Sequence, residues 1–235
     1  MNYEKIIDEV KGLLGKNDGH GLDHILRVRD LALKFANQEK ANIDIVELTC
    51  LLHDIDDYKI FGEDYANNLI NANRILDNAH INSETKEKIL YNIKTMGYNK
   101  YLSGIRPTTL EGKIVSDADM CDAIGAEGIL RTYAYNTSRG SVFFDKTLLP
   151  EIEEKSAIKY RDNKTEHAVQ HFFDKLLKIP SILMTDSGCE EGNKRRLIMI
   201  DFLRELFREE NAVEWADYLN QFLKKQFISN TKLIK

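Results

Sequence analysis

Apolar side chains recur along this chain mostly three and four positions apart, the spacing that gathers them on one face of a helix. Ile6, Ile7, Val10, Leu13 and Leu14 form such a stripe, with Gly15 placed to close it as a C-terminal cap. Ile25, Val28, Leu31, Ala32 and Phe35 predict a second helix from about Leu22 to Glu39. Asn42 suits the N-cap of a third, which carries Ile45, Val46, Leu48, Leu51 and Leu52. Leu69, Ile70, Ile75 and Leu76 mark a fourth. Ser83 is placed to cap a fifth, with Ile89, Leu90, Ile93 and Met96 ahead of Gly97. Gly97 to Thr109, with Pro107, reads as a loop. Leu110 to about Tyr135 is expected to be helical with a break near Gly125 or Gly128. Helices return from Thr165 to Leu177, and from about Glu190 to Phe227 with a break near Glu210-Asn211. Sustained period-two alternation, repeats and low-complexity tracts are missing, so the predicted fold class is all-α. Thr137 to Lys164 has little periodicity; it reads either as a functional connection or as a plain linker.

Composition narrows the picture. A chain of 235 residues, 43% of them hydrophobic, can bury a sizeable core. The expectation is one helical domain, with its chemistry in a core of about residues 20–125 and a C-terminal helical part of about 126–228 packing on it. The net charge, 33 − 38 = −5, argues against a general nucleic-acid binder, which needs a basic surplus. No apolar run reaches the roughly 20 residues that cross a bilayer, and Met1 to Lys5 lacks a signal-peptide pattern. Cys50, Cys121 and Cys189 are an odd, scattered three, which fits a reducing cytoplasm.

Polar residues of the kind that hold metals lie inside the apolar helical stretches. His24 opens the second helix within His24-Ile25-Leu26-Arg27-Val28, and His53-Asp54 ends the apolar run Leu48-Thr49-Cys50-Leu51-Leu52. Asp117-Ala118-Asp119-Met120-Cys121-Asp122 places further acids among Ile114, Val115 and Ile124. A buried carboxylate needs a proton or a charge as partner. A divalent cation supplies one, and imidazole and carboxylate ligands from three helices can leave coordination positions for water and substrate. Cys50 and Cys121 read as core packing, and the His167/His171 pair as packing or solvated, since no acid or cysteine partner is evident for it.

The order His24 with Arg27-Val28, then Leu51-Leu52-His53-Asp54, then Ala118-Asp119 resembles the HD-domain superfamily of metal-dependent phosphohydrolases, whose pattern is H…HD…D on separate helices. The likeness extends to a bacterial subgroup of small HD hydrolases, some of which act on nucleotides. It takes in His20, Asp56-Asp57-Tyr58-Lys59, Asp122-Ala123-Ile124-Gly125, Arg131-Thr132-Tyr133-Ala134-Tyr135 and His171-Phe172-Phe173-Asp174-Lys175-Leu176-Leu177. Met184-Thr185 with Gly188 and Arg195 completes it, so the resemblance runs from about Leu13 to Glu210.

The resemblance implies a cytoplasmic enzyme that hydrolyses a small phosphate ester or anhydride, most of all a nucleotide. His24, His53, Asp54 and Asp119 are the expected ligands of one divalent ion: Mn, Fe, Co, Ni or Mg. Two-metal members carry extra histidines between the His-Asp pair and the last aspartate, whereas this interval holds only His80. His20 and Asp57 are candidates to position phosphate and water, the alternatives being a helix-start histidine and a helix-capping aspartate. Lys59, Arg27, Arg131 and Lys175 are candidates to bind the phosphate. At about 100° per residue, Asp119 and Asp122 share a helix face and Asp117 points elsewhere. Asp122 is thus expected to support the ligands and Asp117 to bond within the scaffold. The same residues also fit a non-catalytic module that binds metal and nucleotide.

Overall fold

The computed structural model describes residues 2–14, 21–150 and 167–232. Among these the fold is all-α, as the periodicity predicts; an isolated bridge between Val142 and His167 is the one β-type pairing recorded. None of the described helices is long and apolar enough to cross a membrane. Gly15, His20 and residues 151–164, the second half of the aperiodic stretch, lie outside the described residues.

The chain forms two compact units. Residues 1–122 together with 184–188 make the first, and residues 123–183 with 189–235 the second. The first contains α1 (Tyr3–Leu14), α2 (Leu22–Glu39), α3 (Ile43–Leu52), α4 (Tyr58–Phe61), α5 (Glu63–Asn68), α6 (Ile70–Asn78), α7 (Ser83–Thr95), α8 (Tyr98–Leu102) and α9 (Leu110–Asp122). Helix α2 packs along both α3 and α9, and α7 also lies against α3 and α9. The α2 stripe feeds two hydrophobic clusters. Ile25 joins Val10, Leu14, Leu48, Leu51 and Leu52 in one. Val28, Ala32 and Phe35 join Val46, Cys50, Val115 and Ala118 in the other. Helices α2 and α3 are thus joined in both clusters, and α9 is joined to them in the second.

The second unit contains α10 (Gly125–Ser138), α11 (Ala168–Asp174), a 3-10 turn (Leu176–Ser181), α12 (Asp186–Glu209, from Cys189 onward) and α13 (Val213–Lys232). Aromatic rings fill its core: Phe144, His167, Phe173 and Phe207 surround Trp215, whose Nε1 donates to the Leu148 carbonyl at 2.8 Å. His167 is buried in this ring cluster, so of the two roles open to it, packing or solvated, it takes the packing one.

Boundaries differ from expectation in a few instructive places. The long helix breaks after Asp122, where Ile124 turns extended and Gly125 takes φ +79, a conformation that strains any residue with a Cβ. The Gly97–Thr109 loop contains the one-turn α8, and α4 and α5 went unforeseen. Helices of four to six residues are too short for a 3.6 period to show. The cap of α7 is Asn82, not Ser83: Asn82 Oδ1 accepts from Thr85 N at 2.9 Å while Ser83 is already helical. Both residues suit a cap, and the one left in extended backbone takes the role. Asn82→Ala should therefore cost about 1 kcal/mol in urea unfolding, and Ser83→Ala only a few tenths; equal losses would place the cap elsewhere.

Candidate metal centre

Four side chains predicted to hold a metal converge in the first unit. His24 lies in the first turn of α2; His53 caps the C-terminus of α3, with Asp54 in the turn that follows; Asp119 lies near the end of α9. His24 Nε2 stands 3.3 Å from His53 Nε2, 3.5 Å from Asp54 Oδ2 and 3.5 Å from Asp119 Oδ1. His53 Nε2 is 3.5 Å from Asp54 Oδ1 and 3.9 Å from Asp119 Oδ1. His24 and His53 are buried, whereas the Asp54 and Asp119 side chains keep 16% and 26% of their surface exposed. The cluster thus has a closed imidazole side and a carboxylate side that solvent can reach.

The outer nitrogens fix what the inner ones present. His24 Nδ1 lies 2.7 Å from Asp122 Oδ2, and His53 Nδ1 lies 2.8 Å from the Cys50 carbonyl oxygen. Both partners are acceptors, so each Nδ1 carries the hydrogen and each neutral ring turns an Nε2 lone pair inward. Two lone-pair nitrogens and two carboxylates then face one another with no donor among them. That donor set fits a divalent cation of mixed nitrogen and oxygen preference. Ligands about 2.1 Å from one ion sit roughly 3.0–3.4 Å apart, close to the separations found here. His24, His53 and Asp119 are the one group of this kind among the described residues.

Without a cation, a proton takes its place. Burial opposes charge on His24, but hydrogen bonds with Asp119, Asp122 and Asp54 overcome it and push the imidazole up to about 11. Burial likewise works against ionised Asp119, and the neighbouring His24 and His53 more than offset it, holding that carboxyl below its usual range.

The supporting residues fall into two sets. Asp122 occupies the place expected of it, behind His24. Arg27 is turned onto the same carboxylate, with Nε 2.8 Å from Oδ1 and one terminal nitrogen 3.0 Å from Oδ2. Arg27 lies three residues after His24, hence on the same face of α2, a signal present in the sequence. Asp117 faces away, as its helical phase dictates, and is buried against Met184 and Thr185.

The remaining candidates are more scattered. Helix α3 stops at Leu52, so Asp57 does not share a helical face with Asp54; its carboxylate caps α4 by accepting from Lys59 N at 2.8 Å. Lys59 is exposed, with its ammonium 5.8 Å from the Tyr58 ring centroid. Arg131 and Lys175 are half-buried members of the second unit. His80 is exposed in the turn after α6. Cys50 and Cys121 are fully buried thiols within the packing. Asp56 is buried and accepts from the backbone N–H groups of Asn71 and Ala72 at 2.9 Å, tying the turn after His53-Asp54 to the start of α6.

The chain is similar to several known proteins. A family model described as HD domain matches residues 21–124, the stretch that holds all four converging side chains. A Lactobacillus plantarum crystal structure superposes with a TM-score of 0.76 at 30% identity, covering 89% of this chain and 96% of that one. The crystal structure of an HD-superfamily hydrolase from Bacillus thuringiensis gives 0.69 at 32% identity, with the same coverage of 89% and 96%. Bacillus subtilis YpgQ, crystallised in complex with ADP, gives 0.63 at 28% identity over 88% of this chain and 93% of its own.

The raised His24 pKa has a measurable consequence. Below about 11 the metal-free ring is cationic, and a cation can be bound only by the neutral ring, so binding at neutral pH must release its proton. Titration calorimetry with Mn²⁺ in buffers of different ionisation enthalpy should give about one proton released per ion bound, with affinity rising as pH rises. Zero protons released would mean that the ion does not displace the His24 proton, and so is not bound by His24.

Proposed function

The chain belongs to the HD-domain family, and on that premise we propose that it is a metal-dependent phosphohydrolase acting on a small phosphate ester or anhydride, above all a nucleotide. One observation carries the reading: the inward Nε2 atoms of His24 and His53 gather with the Asp119 carboxylate, Asp54 has an oxygen 3.5 Å from each imidazole, and both rings are locked from behind. His24, His53, Asp54 and Asp119 are assigned as ligands of one divalent ion. When bound, such an ion supplies Lewis acidity, activating water near neutral pH and offsetting charge that builds on phosphoryl oxygens.

The chain's own residues do the rest. Asp122 and the Cys50 carbonyl hold the two rings in the ligating tautomer. Arg27 offsets the charge of Asp122, so that the latter orients His24 without being drawn into the site. Asp54 and Asp119 present the open face, where substrate and water arrive. Lys59, Arg131 and Lys175 are retained as phosphate-binding candidates, the fourth, Arg27, being turned onto Asp122, and Asp57 and His20 are kept as groups that position water or phosphate. Nucleotide substrates are favoured by the ADP complex of the related YpgQ.

The direct test is a screen of nucleoside mono-, di- and triphosphates, cyclic dinucleotides and generic phosphoesters with added Mn²⁺, Mg²⁺, Co²⁺ or Ni²⁺. Turnover that chelator abolishes supports the reading. Saturable binding without turnover across the panel would instead mark a regulatory module. Variants resolve the ligand set: His53→Ala and Asp119→Asn should lose metal and turnover while keeping their helical circular dichroism. Asp122→Asn should weaken metal binding by about tenfold. Full metal content in Asp119→Asn would remove that residue from the ligand set.

A further inference from the structure

The Met184-Thr185 and Gly188 motif has no place in the chemistry above, yet it belongs to the unit that holds the ligands. Residues 184–188 are the part of the chain beyond Asp122 that joins the first unit. The segment is fastened at two points. Asp117 accepts from Met184 N at 2.9 Å, from Thr185 N at 2.7 Å and from the Thr185 hydroxyl at 2.8 Å. Glu39 accepts from Ser187 N at 2.9 Å and from the Ser187 hydroxyl at 2.8 Å. Thr185 Oγ1 also accepts from Gly188 N at 3.0 Å, which folds the segment into the first turn of α12.

The two anchors lie on the ligand-bearing helices. Glu39 is the last residue of α2, which carries His24, and Asp117 is on α9, two residues before Asp119. Contact at the α9 anchor is close. A Cβ on Gly188 would stand 2.5 Å from Asp117 Oδ2 and 2.8 Å from Asp117 Cβ, so any side chain there pushes α9 away. Asp117 is wholly buried, as are Thr185 and Gly188, and the hydrogen bonds are therefore not loosened by water. Apolar packing alone lets a helix slide or rotate by fractions of an ångström at small cost. A bonded carboxylate does not.

We infer that the Met184–Gly188 segment is a strap that sets the position of α9 against α2, and that Asp117, Thr185 and Gly188 are positioning residues for the metal ligands Asp119 and His24. Ligand distances must hold within about 0.2 Å for tight binding, so releasing the strap weakens the cation site without removing any ligand. The inference rests on the metal reading above and adds a residue set outside it.

The test uses the full-length protein and Mn²⁺ alone. Thr185→Val keeps the volume of the side chain and deletes its hydroxyl; Thr185→Ser restores it. Ile89→Val, a trimmed core residue on α7, serves as a control for lost stability. Mn²⁺ dissociation constants come from calorimetry and thermal midpoints from circular dichroism. Thr185→Val should bind Mn²⁺ about tenfold more weakly, the lower end of what supporting residues control. Thr185→Ser should return to within about twofold of the parent, and Ile89→Val should lower the midpoint with no change in affinity. Parent-like affinity in Thr185→Val overturns the strap while leaving the metal site standing. Equal loss of affinity in Ile89→Val overturns it too, because stability alone then explains the effect. A parent protein that binds no Mn²⁺ overturns the metal reading itself, and the strap's role with it.

Discussion

Two imidazoles and two carboxylates that face one another with no donor between them repel, and the first unit is organised around holding them there. Inside a protein such lone pairs are far less screened than in water. Their convergence persists because each group is tied at its outer end. His24 is tied to Asp122, His53 to the Cys50 carbonyl, and α2 and α3 are buried on both flanks of the cluster by apolar side chains. The metal-free chain relieves the conflict by keeping a proton on His24, and a divalent cation held by the proposed ligands would relieve it in the proton's place. Function and stability meet in that exchange, since whatever binds the folded site also stabilises it.

The same constraint explains the surrounding polar residues. A buried Asp122 needs a charge behind it, and Arg27 supplies a two-pronged one. The turn after the His53-Asp54 pair has lost its helix, and buried Asp56 takes up its support by bonding two backbone N–H groups of α6. Helix α9 ends three residues beyond Asp119, where Gly125 permits the break, and Asp117 holds that helix through the Met184–Gly188 strap. Each of these polar contacts lies within a few residues of a ligand, where a small displacement has the largest effect on the site.

Much of this was legible in the chain. Long amphipathic helices announce themselves, and α2 was located residue for residue because its stripe runs unbroken from Ile25 to Phe35. The candidate ligands stand out because acids and histidines are costly in apolar surroundings. The phase of α9 alone separates Asp117 from Asp119 and Asp122, and Asp117 indeed bonds within the scaffold while Asp122 lies behind His24. Legibility stopped where interactions depend on distant sequence. Nothing local shows that Arg27 turns onto a carboxylate 95 positions away, or that Thr185 bonds one 68 positions away. Of the two roles open to Asp57, the capping one is seen: α3 stops at Leu52 and leaves Asp57 to cap the next helix.

The central claim is that His24, His53, Asp54 and Asp119 together enclose one divalent cation. Anomalous diffraction from crystals soaked in Mn²⁺ tests it most directly. The account predicts a single strong peak about 2.0–2.2 Å from the Nε2 atoms of His24 and His53 and from a carboxylate oxygen of both Asp54 and Asp119. A map without a peak there, or with its strongest peak on other residues, would contradict it.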